Sequence, residues 1–535
     1  MTISAQKDWK KDFGLDGRKP PHFFSSVDQL DGTAGKVPHA HTLRRAFEQL
    51  GIQGVLCQER NPVIYFRQVR KINPGDIINL HRSFWNQGIA PILVIIAQDE
   101  VHVYSGLIPP EDTLTETGQA PGFVETLNRV QDQLRSFLLS VESGEYFHVH
   151  RPSFDPRKRV DRDLLRDLRG TRQELGRVQT ARLEPHTLDA LLCRLVFTCY
   201  LFDRGIIDRN YLKTLRIHGA EHLKDILAKQ PRTGAKADLY TLFGQLGKDF
   251  NGDLFTADLE AESLQIRVEH LRILDRFFHG TDVQSGQQSF WPYDFSFIPI
   301  ETISAIYEYF LKAAGEEQKK VAGAFYTPRF LAEFVLDVAL EGETSLLDKR
   351  FLDPACGSGI FLVGLFNRIA EEWKPKNPGA RYDRRAKGLM DILRTNLFGV
   401  DSSRSACQIT AFSLYLAFLD QLTPPDIQKL LGKWDRLPSL VSVPGETSTN
   451  PLIGTICCSD FFTEAATLPL KAHVIVGNPP WGPVKKNAPP TAAENWCAHH
   501  KVEHPNREKS IPFIWKAPTH LEDGGKVCFV LPHGT

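Results

Sequence analysis

From residue 346 onward the chain repeats one pattern: a short apolar run, a turn, then a long segment with helical spacing. The runs Arg350–Asp353, Leu397–Asp401, His473–Gly477 and Lys526–Leu531 are strand length, and Ile360–Trp373, Arg404–Leu419 and Ile511–Leu521 carry the 3.6-residue period. A crossover helix between two strands returns the chain to a parallel neighbour. The pattern therefore predicts an α/β, doubly wound parallel sheet with helices on both faces. Ligands of such sheets bind beyond the carboxyl ends of the strands, so the residues that follow each run are the ones to read for chemistry.

Upstream, residues 1–150 mix both periods. Val63–Phe66 follows the turn Arg60-Asn61-Pro62, Asp76–Gln87 reads as a helix, and Pro91–Ala97 pairs with Val101–Tyr104 across Gln98-Asp99-Glu100 as a hairpin. A small N-terminal α/β domain is expected there. Residues 151–315 form the second expected domain, a basic stretch and a helical connector. Residues 151–182 hold ten Lys/Arg against five Asp/Glu. This stretch either follows a phosphate backbone or forms a solvated helix face of mixed ion pairs. Helical spacing follows through Leu188, Leu191, Leu192, Leu195, Val196 and Leu201 to a helix at 303–311, with a polar loop at His279–Ser289. Residues 316–535 are the third expected domain.

Bulk charge decides little, since Lys+Arg and Asp+Glu both number 64. The nine cysteines form no CxxC pair and read as reduced thiols. Residues 1–20 lack an apolar core of a secretory signal, and the apolar run Ile92–Ala97 is far too short to span a bilayer. A cytoplasmic protein without membrane contact is expected.

Five strand-end or loop motifs carry the candidate chemistry. Asp353-Pro354-Ala355-Cys356-Gly357-Ser358-Gly359 joins a strand to a helix. Gly357 and Gly359 permit a tight turn and close approach to a ligand, and Asp353 suits a cationic amine. No lysine follows the glycines, which excludes a phosphate loop. Asp401 ends the next strand and either accepts two ribose hydroxyls or is structural. Asp460 and Phe461 can bond the amino edge of an adenine and stack on its face. Asn478-Pro479-Pro480-Trp481 ends the strand Val474–Gly477. Its prolines fix the backbone and leave the Pro479 carbonyl free to converge with the Asn478 side-chain oxygen on one NH2 group. Trp481 would stack on the ring that bears this amine. Tyr326, Thr327 and Pro328 precede a helix. Thr327 reads as its N-cap with Pro328 at the first position, and Tyr326 and Thr327 also suit a cofactor's methionine part.

In this order, the set resembles the γ-type amino-methyltransferases of DNA, in particular the large adenine-specific methylases of type IIG-like and phage-defence (BREX- or DISARM-like) systems. The resemblance covers roughly residues 185–535. It implies a Rossmann-like methyltransferase sheet, S-adenosylmethionine as cofactor and adenine N6 in double-stranded DNA as target, with the base flipped out of the duplex. It assigns Asn478, Pro479, Pro480 and Trp481 to the target base. Tyr326, Thr327, Pro328, Asp353, Pro354, Ala355, Cys356, Gly357, Gly359, Asp401, Asp460 and Phe461 go to the cofactor. Such chains continue with a closing hairpin and a target-recognition domain, so this one is expected to be C-terminally incomplete or to use a separate specificity subunit.

Rival readings remain. A nuclease would want a lysine near Asp99-Glu100, and none stands there, so residues 1–150 read as a degenerate nuclease-like scaffold. Cys497, His499, His500 and His504 are zinc-ligand types at irregular spacing, and no metal is expected. Methylation of cytosine N4 or of a protein glutamine amide would use the same Asn-Pro-Pro geometry, and a cofactor-binding, DNA-scanning subunit inactive without a specificity partner is the non-enzymatic alternative.

Overall fold

A computed structural model describes residues 8–31, 37, 39–179, 182–250, 259–281, 290–304, 327–431, 440–443, 455–463 and 471–533. The chain divides into two compact units. One joins residues 1–171 to 276–299, and the other joins 172–275 to 300–535. The three-domain expectation with breaks after 150 and 315 differs from this because the connector is shared out. Residues 290–299 return to the first unit through long-range hydrogen bonds. Arg82 donates to the carbonyls of Trp291, Pro292 and Tyr293, and Asn86 Nδ2 donates to Pro292. The Tyr293 hydroxyl lies 2.6 Å from Asp167 Oδ2 and 3.0 Å from Asp163 Oδ2.

The first unit holds six strands in sequential order: β1 (Phe23–Phe24), β2 (Gly54–Gln58), β3 (Asn61–Gln68), β4 (Ile92–Ile96), β5 (Glu100–Ser105) and β6 (Phe123–Asn128). The expected hairpin is β4–β5, antiparallel with Val94 opposite Val103, and the expected helix spans Pro74–Gln87 and links parallel strands β3 and β4. Period-2 alternation sends Tyr65, Leu93 and Ile95 into one core and Ile64, Phe66, Ile92 and Val94 into another, so helices cover both faces. In the basic stretch, Arg157, Arg159, Arg166 and Arg177 pair with acids of the same stretch, and Arg172 pairs with Asp189. These pairs are those of a mixed-charge helix face.

The second unit holds β7 (Phe351–Asp353), β8 (Leu397–Asp401), β9 (Val441–Ser442), β10 (Ile456–Cys458), β11 (Ala472–Gly477) and β12 (Leu521–Phe529). They lie in the order β12-β11-β7-β8-β10-β9, with every pairing parallel. This is the doubly wound sheet expected from the repeat. Helix Ile360–Lys376 follows β7, and helix Arg404–Asp420 follows β8. A further helix, Tyr382–Thr395, precedes β8 and buries Ala386 and Leu389. After β10 the chain crosses to the other side of β7, so β7 and β11 meet at the topological switch point, where a crevice opens beyond the strand ends. Helices of the 185–275 region pack within this unit. Phe197 meets Phe412 edge-on at 5.0 Å, and buried Arg204 pairs with Asp420 at 3.4 Å.

Candidate functional site

The crevice is a cavity of about 620 Å³. Thr327, Asp353, Pro354, Ala355, Cys356, Gly357, Asp401, Asp460, Phe461, Asn478 and Pro480 all line it. Residues separated by more than 150 positions thus share one wall system because β7, β8, β10 and β11 end on the same side. Pro328, Gly359, Pro479 and Trp481 do not line the cavity, and Tyr326 lies outside the described residues.

The glycine loop is fastened at several points. Asp353 Oδ1 accepts from Ala355 N at 3.1 Å, and Cys356 N donates to Val400 O at 2.9 Å. Gly359 has φ +80°, and a Cβ there would stand 2.9 Å from Thr410 Cγ2, so only glycine fits. The Thr410 hydroxyl also donates to Gly357 O at 2.9 Å. Thr410 escapes sequence reading because it sits mid-helix with no motif around it.

Asp401 does two jobs. Its Oδ2 accepts from Gly357 N at 3.0 Å and its Oδ1 accepts from Ser403 N at 2.8 Å. The carboxylate therefore braces the glycine loop against β8, in a residue that also lines the cavity. The structural and ribose-binding readings are compatible. Cys356 is buried, and its thiol is held well above the usual range by hydrogen bonding with Cys407 and by burial.

At the β10 end, exposed Asp460 accepts from Phe462 N through Oδ1 at 2.9 Å. Phe461 is buried and stacks on Phe513 with ring centroids 5.7 Å apart and planes 8° apart. Lys516 donates from Nζ to the Phe461 carbonyl and stands over the rings of Phe461 and Phe462. Burial lowers the Lys516 ammonium from its ordinary value and pushes His520, next to Phe461, down to about 4. These supports lie on the predicted helix from Ile511, but helical spacing alone does not say which loop they meet.

At the β11 end, Asn478 Nδ2 donates to Thr327 Oγ1 at 3.0 Å. Thr327 is buried. The expected N-cap role is corrected: the helix runs Arg329–Ala339 with Pro328 at its cap and no side-chain cap bond. Its start falls one residue late, so the Thr327 hydroxyl turns to Asn478. Gly477 packs against the aspartate across the switch point, where a Cβ would stand 2.8 Å from Asp353 Oδ1. Trp481 donates from Nε1 to Val530 O at 3.2 Å, which ties it to the chain just after β12.

The zinc-type cluster does not assemble. His500 stacks on Trp496 at 4.1 Å and His504 Nε2 bonds Glu508 O at 2.8 Å. Among the described residues no group of three or more His, Cys, Asp or Glu is placed to hold a metal ion. Nor, among them, is any helix long and apolar enough to cross a membrane.

Residues 299–423 match the N-6 DNA Methylase family, and residues 395–535 match the Eco57I restriction-modification methylase family. The chain is 28% identical over 190 residues to the adenine-specific methyltransferase PglX of Streptomyces coelicolor, covering 32% of this chain and 15% of that one. It is 30% identical over 116 residues to the type I restriction enzyme MjaIX methylase subunit of Methanocaldococcus jannaschii, covering 22% and 17%. The chain thus spans less than a fifth of the length of either relative. The solved methyltransferase subunit of a Streptococcus thermophilus type I restriction-modification system superposes with TM-score 0.40 at 15% identity, covering 70% of this chain and 75% of that one. The motif resemblance and the two family matches agree on a methylase, and the first match names N-6 DNA methylation.

Proposed function

We propose that this chain is a site-specific DNA methyltransferase that transfers methyl from S-adenosylmethionine to adenine N6, within a restriction-modification or phage-defence system. The observation that carries the reading is one cavity, lined by Asp353, Asp401 and Asp460 on one side and by Asn478 and Pro480 on the other, at the switch point of a parallel sheet. The two matched families, named for N-6 DNA and restriction-modification methylases, favour adenine over the cytosine and glutamine alternatives.

The residues present fit the cofactor. Its amine, ribose diol and adenine call for acceptors, and three strand-end acids supply them. Gly357 lines the cavity, and Gly359, where a Cβ would meet Thr410, holds the tight turn that presents it. In this reading Asp353 takes the amino group, Asp401 the ribose hydroxyls, and Asp460 with Phe461 the adenine. When bound, the cofactor supplies an electrophilic methyl group. The chain's part is positioning. The Asn478 side-chain oxygen and the Pro479 carbonyl accept the two protons of the target NH2 and draw its lone pair out of conjugation with the ring. Trp481 stacks on the extruded base and offsets part of the unstacking cost of roughly a few kcal/mol. The partner is therefore duplex DNA with a flipped adenine, and a separate specificity subunit is compatible with the same chemistry. The unit holding residues 1–150 is read as a degenerate nuclease-like scaffold for DNA or partner contact.

The test is transfer of labelled methyl to mixed-sequence duplex DNA by the wild type and by Asn478→Ala. Label on adenine N6 that disappears in the variant supports the reading. Cofactor binding without transfer, lost in Asp353→Ala, would instead favour a partner-dependent chain.

A further inference from the structure

The wall of the cavity beyond Pro480 is made by residues 482–510, which the reading above leaves without a role. This segment is built to hold its shape. The chain leaves at Gly482 (φ +90°) and returns at Lys509, and the two passes pair antiparallel at Pro483 and Glu508. Gly482 N donates to Glu508 Oε1 at 2.7 Å, Val484 N to Arg507 O at 2.9 Å, and Lys509 N to Gly482 O at 3.3 Å.

Arg507 is the hub. Its Nε donates to Glu494 Oε1 at 2.6 Å and its Nη2 to Glu494 Oε2 at 3.1 Å. Its Nη1 reaches the carbonyls of Lys485 at 2.9 Å and Lys486 at 3.2 Å, and its Nη2 also reaches that of Ala488 at 3.2 Å. Asn506 and Arg507 both take left-handed backbone, with φ 55° and 54°. For residues with a Cβ this costs of order 1 kcal/mol each or more, and the guanidinium network offsets it.

This architecture sorts the charges. Glu494 pairs with Arg507, while Glu508 accepts from Gly482 N and the Ser510 hydroxyl and also faces the Lys509 ammonium, whose value burial lowers. His504 bonds the Glu508 carbonyl through Nε2 and so supports the wall. Lys485 and Lys509 line the cavity together with Asn478 and Pro480, while the acids Asp353, Asp401 and Asp460 line it from the strand ends. The cavity is thus acidic on its floor and basic on the wall at the Asn478 end.

We propose that Lys485 and Lys509 form a phosphodiester-binding site for the DNA strand that carries the extruded base. The inference rests on the function proposed above. An extruded nucleotide stays bonded to its strand, so a base seated against Asn478 brings its flanking phosphates to the adjoining wall. Lysine is a point-charge partner for phosphate that needs no bidentate geometry. The competing anion is the carboxylate of the cofactor, and the two make different demands on the same lysines.

The experiment is equilibrium binding of the full chain to mixed-sequence duplex DNA over a range of salt concentrations, for wild type, Lys485→Gln, Lys509→Gln and the Lys→Arg pair of variants. Each Gln variant is expected to lower the slope of log K against log salt by about 0.7–0.9, one phosphate contact, with cofactor affinity unchanged. The Arg variants are expected to keep the wild-type slope. Unchanged slopes in the Gln variants, with wild type methylating adenine, would overturn this inference alone. Weakened cofactor binding at constant slope would reassign the lysines to the cofactor carboxylate and overturn it too. A wild type that binds cofactor and no DNA would overturn both this inference and the function it rests on.

Discussion

The Asn478 amide is held by Thr327: Nδ2 donates to Oγ1 at 3.0 Å across 151 positions of sequence. The bond fixes the orientation of the amide at the end of β11. Under the proposed function this makes Thr327 a positioning residue for Asn478.

Thr327→Val keeps shape and removes the acceptor. One hydrogen bond is worth about 1 kcal/mol, so kcat for methyl transfer should fall roughly five- to tenfold. Cofactor affinity should hold, and Thr327→Ser should restore the rate. A variant that loses cofactor affinity at constant kcat would make Thr327 a cofactor ligand instead.

Gly477→Ala puts a Cβ 2.8 Å from Asp353 Oδ1. Both groups sit at the ends of paired strands, so neither yields easily. Overpacking of this kind costs about 1–3 kcal/mol. Calorimetric titration should show cofactor binding weakened by roughly tenfold or more, and unaltered binding would mean that Asp353 does not hold the cofactor.

Much of this site is legible in sequence, and the remainder is not, for physical reasons. Strand–helix alternation and the residues closing each run locate Asp353, Asp401, Asp460 and Asn478, because a parallel sheet brings such ends together whatever lies between them. Thr327 before Pro328 carries an ordinary N-cap signature, and local sequence cannot say that its hydroxyl goes to a strand end instead. Thr410 and Arg507 act through contacts with Gly359 and with the 485–488 carbonyls that no local pattern encodes. The return of residues 290–299 to the first unit hangs on Arg82 and Asn86, more than 200 positions away. A boundary drawn from composition misses it.

Arg507→Met removes the hub of the 482–510 wall. Loss of its bonds to three carbonyls and Glu494 should weaken local stability by about 1–3 kcal/mol. Amide hydrogen exchange in residues 484–494 should then accelerate by roughly ten- to a hundredfold, while residues 351–377 stay protected. Equal protection in both proteins would show that the wall holds without the guanidinium.

His520 gives a pH dependence with a defined sign. Its folded value is about 4, lowered by burial and by Lys516, and the unfolded value is about 6.5. Between those values the unfolded chain binds more protons, so His520's contribution to stability is full above about pH 6.5 and is lost as pH falls toward 4. Replacement by Phe, which keeps an aromatic neighbour for Phe461, should flatten the thermal-stability profile in that window. Parallel profiles for the two proteins would rule the histidine out.

Glu494 acts lower on the scale. The Arg507 guanidinium beside it holds its carboxyl down to about 2, against an unfolded value of about 4.3. Its contribution is full above about pH 4.3 and is lost as pH falls toward 2. In hydrogen exchange, protection of residues 484–494 should decline through this range in wild type and remain flat in Glu494→Gln.

The most direct test of the central claim is nucleoside analysis of duplex DNA incubated with S-adenosylmethionine and either wild type or Asn478→Ala. N6-methyladenine is expected from the wild type and none from the variant. N6-methyladenine at equal yield from both would contradict the assignment of Asn478. A methyl group found only on cytosine would contradict the target itself.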